Sequence, residues 1–215
     1  MPKDDATTGG RGLETKRRPL RADAERNLKA VLTAAMTVFA SSGVDAPVRE
    51  IAKLAGVGVG TVYRRFPTRA DLIVAVFRNE VDAWADAAPV LAAEHEPGEA
   101  LTRWVERYVD FIRAKRGLAA ALHSGDPAYD GLPAYFETRL RPALQGLLDA
   151  AAQAGRIRQG VNPNDLLWAI PSLCASTGHD PELARRMIGL LLDGLRYGAG
   201  PGAPRSSAGR VSAES

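Results

Sequence analysis

In the stretch from Thr61 to Arg65 the chain carries a hydroxyl, a phenol and two guanidinium groups, on Thr61, Tyr63, Arg64 and Arg65. All four suit phosphate oxygens or the edges of bases. Val62 and Phe66, four apart, give a helix over this stretch its buried face and leave the polar groups outside. Gly58 and Gly60 at its start let the backbone come very near a nucleic acid, with N-terminal amides facing a phosphate. A short helix with this chemistry fits the major groove of duplex DNA.

Catalytic chemistry finds no comparable arrangement. The three histidines, His95, His123 and His179, have no metal-ligand spacing with Cys, Asp or Glu. His123-Ser124-Gly125-Asp126 has the letters of a nucleophile, a base and an orienter. Neighbours in one loop cannot converge as those groups must. With no P-loop and no GxGxxG after a strand, the reading is of a protein that is not an enzyme and needs no cofactor. Cys174, in an apolar helix, reads as a small core residue.

Charge agrees with a polyanionic partner. Residues 1–80 hold 14 Lys+Arg against 9 Asp+Glu, and the remainder 14 against 16, so the net charge of +3 is concentrated near the N-terminus. A single cysteine fits a reducing cytoplasm. The polar first 21 residues read as no secretory signal, and no apolar run is long enough to span a membrane.

The elements that position this chemistry read as helix after helix. The first is expected over Ala24–Ser41, with Leu28, Val31, Leu32, Ala35, Val38 and Phe39 on one stripe and Gly43 ending it. Short helices follow at Val48–Ala55 and Val59–Phe66. Ile51, Leu54 and Ala55 face inward in the first, Ala52 permits a close crossing, Gly56 reverses the chain and Val57 plugs the turn. Two short helices crossing through a glycine turn make a helix-turn-helix. Thr68 caps a longer helix from Arg69 to Asp86. Beyond Pro97, helices are expected over 97–115, 117–123, 132–154, 163–176 and 181–197. The fold class is all-α: a three-helix helix-turn-helix head (21–68) and a helical body (69–197). A disordered basic arm (1–20) and a disordered tail (198–215) flank them.

GVGVGTVYRRFPTRADL, preceded by VREIAKLAGV, resembles the signature of the tetracycline-repressor (TetR/AcrR) family of bacterial regulators. The resemblance covers residues 25–75. It implies that Arg49 reaches a base or phosphate, that Val59 and Gly60 face base edges, that Thr61 and Tyr63 touch phosphates, and that Arg69 anchors another. Arg64 joins them from the exposed face. Lys16, Arg17, Arg18 and Arg21 form a basic arm suited to the adjacent minor groove. Two positions depart from the family pattern: Pro47 and Gly58 stand where a capping hydroxyl is common. Val59 reaches a thymine methyl without a hydrogen bond, which shifts base reading toward Arg49, Arg64 and the arm.

In the body, Trp104, Tyr108 and Phe111 lie at i, i+4 and i+7 on one helix, the spacing of a core stripe. The resemblance implies a small-molecule cavity among these helices, lined by Trp104, Tyr108, Phe111, Tyr135, Phe136 and Trp168, with His123 and Arg139 as polar groups. Pro171 interrupts an apolar helix, which suits a bend around such a cavity. The last two helices are apolar over so wide an arc that each needs two burial partners. A two-fold four-helix interface through Leu166, Ile170, Met187, Leu191 and Leu195 supplies the second. The combined expectation is a cytoplasmic homodimeric repressor that holds a palindromic double-stranded operator and is relieved by a small-molecule effector. The alternative is a constitutive dimeric DNA-binding protein without a ligand.

Overall fold

The computed structural model describes residues 12–114, 122, 124–177 and 180–198, with 12–22 and 113–114 described by their backbone alone. Eight α-helices and no strand occur among them: α1 (Gly12–Ser42), α2 (Val48–Ala55), α3 (Val59–Arg65), α4 (Arg69–Glu94), α5 (Pro97–Ala114), α6 (Leu132–Gln153), α7 (Pro163–Ser176) and α8 (Pro181–Arg196). A single 3₁₀ turn, Pro127–Tyr129, precedes α6. The expected helix over 117–123 lies outside the described residues except for Leu122, and so do His123 and the tail beyond Gly198. No described helix is long and apolar enough to cross a membrane.

Helix limits differ from expectation at two places. Residues 12–20 were expected to be unstructured, and they are the first turns of α1. Once the apolar stripe of residues 28–39 holds a helix, each further residue adds one hydrogen bond, and Leu, Glu, Lys and Arg at 13–18 are good helix formers. In α4 the helix continues past Asp86 to Glu94 with Pro89 inside it. Proline there costs one backbone bond, and the alanine-rich surroundings carry the helix on.

Two compact units divide the chain within α4. The first holds the described residues up to Asn79 together with 122 and 124–130, reaching past the expected boundary at 68. Its core is Val31, Leu32, Ala35, Val38 and Phe39 of α1 against Ile51 and Ala52 of α2, Val62 and Phe66, all buried. Gly43, at φ 78°, closes α1, and its N–H donates to the Phe39 carbonyl at 3.1 Å. Tyr129 is also buried in this unit; desolvation first, then the charge of Asp126, raises its phenol above the ordinary value, against the lowering effect of Arg69.

The second unit, from Glu80, is a bundle of the later half of α4 with α5 to α8. Leu140, Leu144, Leu147 and Leu148 of α6 meet Leu166, Leu167, Ile170 and Cys174 of α7 in its core, with Ala184, Ile188, Leu192 and Leu195 of α8 buried as well. Asn162 caps α7 by accepting from the Asn164 N–H, and Asp180 caps α8 by accepting from Glu182 and Leu183. Cys174, the one cysteine of the chain, is buried in this core.

Candidate nucleic-acid interface

The turn between α2 and α3 explains how the short helices are set. Gly56 is left-handed, φ 69° and ψ 29°. Its N–H donates to Lys53 O at 3.3 Å, and the Val57 N–H donates to Ala52 O at 3.0 Å. These two bonds form a Schellman motif, which satisfies the last carbonyls of α2 and sends the chain back across it. Val57 is half-buried in this turn, and Ala52 is fully buried where the helices cross.

Val62 and Phe66 anchor α3 from below, and the Phe66 N–H closes the helix on Val62 O at 2.8 Å. The opposite face is open. Tyr63 is 53 % exposed, Val59 39 % exposed, Gly60, Arg64 and Arg65 are exposed, and Thr61 is half-buried. The groups expected to meet DNA from α3 thus share one outward surface. Gly58 stands at the N-cap without a side-chain bond, and so does Pro47 ahead of α2, so neither helix has the hydroxyl cap. Beside α3, an open groove of about 400 Å³ runs along α1, with Leu28 and Val31 on one side and Thr61, Arg64 and Arg65 on the other.

On α2, Arg49 is exposed as expected. Leu54 does not turn inward with buried Ile51 and half-buried Ala55 but is 57 % exposed. At about 100° per residue the face shared by Val48, Ile51, Ala52 and Ala55 leaves Leu54 well to one side. The same geometry turns Lys53 outward. Sequence reading passed over Lys53; its alternation with the buried positions of so short a helix was the available signal.

Thr68 begins α4 with a reciprocal cap. The Asp71 N–H donates to Thr68 Oγ1 at 3.0 Å, and Asp71 Oδ2 accepts from the Thr68 N–H at 2.9 Å and from its hydroxyl at 2.7 Å. Those bonds hold the Asp71 carboxyl below its ordinary value. Arg69, half-buried, donates through Nη1 to the carbonyl of Val44 in the loop between α1 and α2. It therefore ties helix and loop together as well as offering its remaining N–H groups outward. Lys16, Arg17, Arg18 and Arg21 fall on the first turns of α1.

The body gathers some of the aromatic residues and separates others. Trp104, Tyr108 and Phe111 are buried on α5 against Trp84 of α4, with centroid distances to Trp84 of 6.0, 5.2 and 4.6 Å, and Phe136 lies 6.2 Å from Tyr108. Trp84 was missed because the sequence reading centred on the helices beyond Pro97. Trp104 Nε1 donates to Trp84 O at 3.1 Å, and the Tyr108 hydroxyl to Leu167 O at 3.1 Å. Burial raises the Tyr108 phenol far above its ordinary value, with Cys174 adding to the shift.

Tyr135 and Arg139 meet elsewhere, on α4: the Tyr135 hydroxyl donates to Asp82 Oδ1 at 2.6 Å, Arg139 Nε to the same oxygen at 2.7 Å, and Arg139 Nη2 to Asp86 Oδ1 at 3.1 Å. Trp168 belongs to neither group, being 70 % exposed on α7.

The expected dimer residues need correction. Leu166, Ile170 and Leu195 are buried within their own chain, while Met187 and Leu191 are half-buried. Asp165 is the one charged residue of α7, and the apolar arc of α8 is wide, so periodicity alone could not say which part the chain keeps for itself. On α8 the face left over carries Leu183, Met187, Leu190, Leu191 and Gly194, and Leu190 is 72 % exposed.

Comparison with known proteins matches residues 31–76 to the family model described as bacterial regulatory proteins, tetR family, and residues 96–197 to the C-terminal domain of SbtR-like transcriptional regulators. The TetR transcriptional regulator SCO0520 from Streptomyces coelicolor is 41 % identical in sequence; the alignment covers 79 % of this chain and 98 % of that one, with a TM-score of 0.68. The chain belongs to the tetR family. The transcriptional regulator RutR of Escherichia coli K12 is 26 % identical over 73 % of this chain and 74 % of its own. FadR from Bacillus subtilis, in complex with stearoyl-CoA, is 20 % identical, covering 77 % of this chain and 98 % of that one at a TM-score of 0.54, a likeness of fold alone.

TetR-family proteins are DNA-binding transcriptional regulators rather than enzymes. Among the described residues of this tetR-family chain, no group of three His, Cys, Asp or Glu side chains could hold a metal ion. The helix-turn-helix of the family corresponds here to α2 and α3, within the matched residues 31–76.

Proposed function

We propose that this tetR-family chain is a cytoplasmic, homodimeric, sequence-specific repressor that holds a palindromic operator and releases it when a small molecule binds the body. The observation that carries DNA binding is the outward face of α3, where Val59, Thr61, Tyr63 and Arg64 stand over the buried Val62 and Phe66. Side chains so placed reach base edges and phosphates while the fold rests on the other side of the helix. Arg49, Gly60, Arg69 and the basic residues Lys16, Arg17, Arg18 and Arg21 extend the contact.

Dimerisation is supported by the apolar stripe Leu183, Met187, Leu190, Leu191 and Gly194 of α8, continued on α7 by Trp168 and Ser172. A second copy of the same two helices buries that stripe about a two-fold axis and presents two heads to two half-sites.

Effector control rests on the body's aromatic cluster of Trp84, Trp104, Tyr108, Phe111 and Phe136, with Tyr135 and Arg139 as polar neighbours, and on the like-folded FadR that holds stearoyl-CoA. A ligand that binds better to the released conformation shifts the population toward it. The close packing of those rings, at centroid distances of 4.6 to 6.5 Å, favours a second reading in which the protein binds DNA constitutively.

The deciding experiment titrates the protein onto DNA from upstream of its own and neighbouring genes, beside Tyr63→Ala. Tight, sequence-dependent binding by the wild type that is lost in the variant is expected. Equal binding by both, governed by salt alone, would end the helix-turn-helix reading. Small molecules that raise the melting temperature are then added to the operator complex; release supports effector control, and retention across all of them supports the constitutive reading.

A further inference from the structure

A short segment from far along the chain belongs to the first compact unit. Residues 124–130 cluster with the residues up to Asn79, although α5 before them and α6 after them belong to the second. Ser124 to Ala128 and Asp130 are exposed, and Tyr129 alone is buried. The turn that carries it is braced by its own bonds. Gly125 is left-handed, φ 78°, Ser124 Oγ accepts from the Asp126 N–H at 3.3 Å, and Asp126 Oδ1 accepts from the Ala128 N–H at 2.9 Å. The Tyr129 N–H donates to Asp126 O at 3.0 Å, and the ring of Pro127 fixes its own φ. A pedestal built in this way delivers one side chain inward, the phenol ring of Tyr129.

Arg69 stands close enough to that ring for its charge to be felt there. Desolvation first, then Asp126, raises the Tyr129 phenol, and Arg69 pulls it back down. Arg69 is half-buried on the first turn of α4 and donates through Nη1 to the Val44 carbonyl. Its stem is long and flexible, and its fork holds further N–H donors, so one bond to a carbonyl leaves their direction open. A neighbouring ring on a braced turn takes away the alternative rotamers before any ligand arrives.

We propose that Tyr129 is a positioning residue for DNA binding: its ring confines the Arg69 side chain, so that Nη1 keeps the Val44 carbonyl while the other N–H groups stay aimed at an operator phosphate. This role rests on the operator-binding reading above and deepens it. The DNA-binding surface is then completed by a residue far outside the helix-turn-helix. Tyr129 itself touches no DNA and acts through Arg69. The flat ring does this work, so the phenol hydroxyl is dispensable and the ring is not.

The test uses the full chain and an operator enriched by the wild-type protein from random duplexes. Affinity is measured over a series of salt concentrations, well below the lowest melting temperature among the variants. Arg69→Ala is expected to weaken binding by about 10-fold and to lower the slope of log affinity against log salt by about one unit. Tyr129→Leu keeps an apolar side chain in the buried site but removes the flat ring. It should weaken binding by about 5- to 10-fold, and its salt slope should fall in the same sense. Tyr129→Phe keeps the ring and should bind within about 2-fold of the wild type. In Arg69→Ala there is nothing left to position, so adding Tyr129→Leu should cost no more than about 2-fold.

Three results overturn the proposal while leaving operator binding intact: a Tyr129→Leu protein with wild-type affinity and salt slope, a Tyr129→Phe protein as weak as Tyr129→Leu, or full additivity of Tyr129→Leu with Arg69→Ala. An unchanged salt slope in Arg69→Ala overturns it too, since no phosphate contact is then there to position. Failure of the wild type to enrich any sequence sinks the operator reading itself, and the role of Tyr129 with it.

Discussion

The hydroxyl of Tyr108 on α5 donates to the carbonyl of Leu167 on α7 at 3.1 Å, in the buried interior of the body. Leu167 is four residues before Pro171, which lies inside α7 and has no N–H to return to it. Tyr108 therefore supplies the donor that the proline removes. A kinked helix with an orphaned carbonyl would have been the alternative, and such groups are costly when buried.

Removing that hydroxyl should reveal the dependence. Tyr108→Phe is expected to destabilise the fold by about 1–3 kcal/mol, as expected for a buried carbonyl left alone. Pro171→Ala restores an N–H at the right distance along the helix, so the double variant should lose less than the sum of the two single changes. Chemical denaturation of the four proteins measures the coupling.

Arg139 is worth less than its two hydrogen bonds suggest. It and Asp82 are each about two-fifths exposed, so solvent screens the pair. Arg139→Ala should lower the melting temperature by about 2–4 °C, the equivalent of about 1 kcal/mol. Arg139→Lys should recover only part of this, because an ammonium cannot span Asp82 and Asp86 in one plane.

Arg64 is exposed, so on the proposed operator-binding role it should govern salt dependence more than folding. Arg64→Ala is expected to leave the melting temperature unchanged. If Arg64 meets a phosphate, the slope of log affinity against log salt falls by about one unit; if it reads a base, specificity relaxes at one position instead. Titrations at several salt concentrations separate the two.

The cap of α4 carries a signed pH dependence. Hydrogen bonds from Thr68 hold the Asp71 carboxyl below its ordinary value of 3.8. The carboxylate's share of the cap is therefore present above pH 3.8 and lost as the pH falls through the lower folded value. Thr68→Ala should melt about 2–4 °C lower near neutrality, and the gap from wild type should narrow in acid, where the bond from the Asp71 N–H to Thr68 Oγ1 remains. Melting curves from pH 7 to pH 2.5 follow it.

Two leucines on one helix should fail in different ways. Leu195 is buried in its own chain, so Leu195→Ala is expected to cost about 2–5 kcal/mol in stability. Leu190 is exposed, so Leu190→Glu should leave a folded chain that sediments as a monomer. A folded Leu190→Glu dimer would place the interface elsewhere.

Much of the head was legible because short helices carry few solutions. Val62 and Phe66 could lie on only one face, and Gly56 could serve only as the reversing residue. Leu54 misled because it is apolar and adjacent to half-buried Ala55, and the periodicity of eight residues is too brief to exclude it. In the body the period of α7 and α8 was plain, but their apolar arcs admitted two burial faces, and only the packed chain assigned Leu166, Ile170 and Leu195 inward. Asp82 and Asp86 as partners of Arg139 are long-range pairings that no local pattern announces.

The bond from Arg69 to the Val44 carbonyl has a mechanical consequence. With the first turn of α4 fastened to the loop between α1 and α2, and its end sealed by Thr68 and Asp71, this turn and that loop are held as one piece. A displacement of the first turn of α4 is thereby shared with the chain that joins α1 to α2.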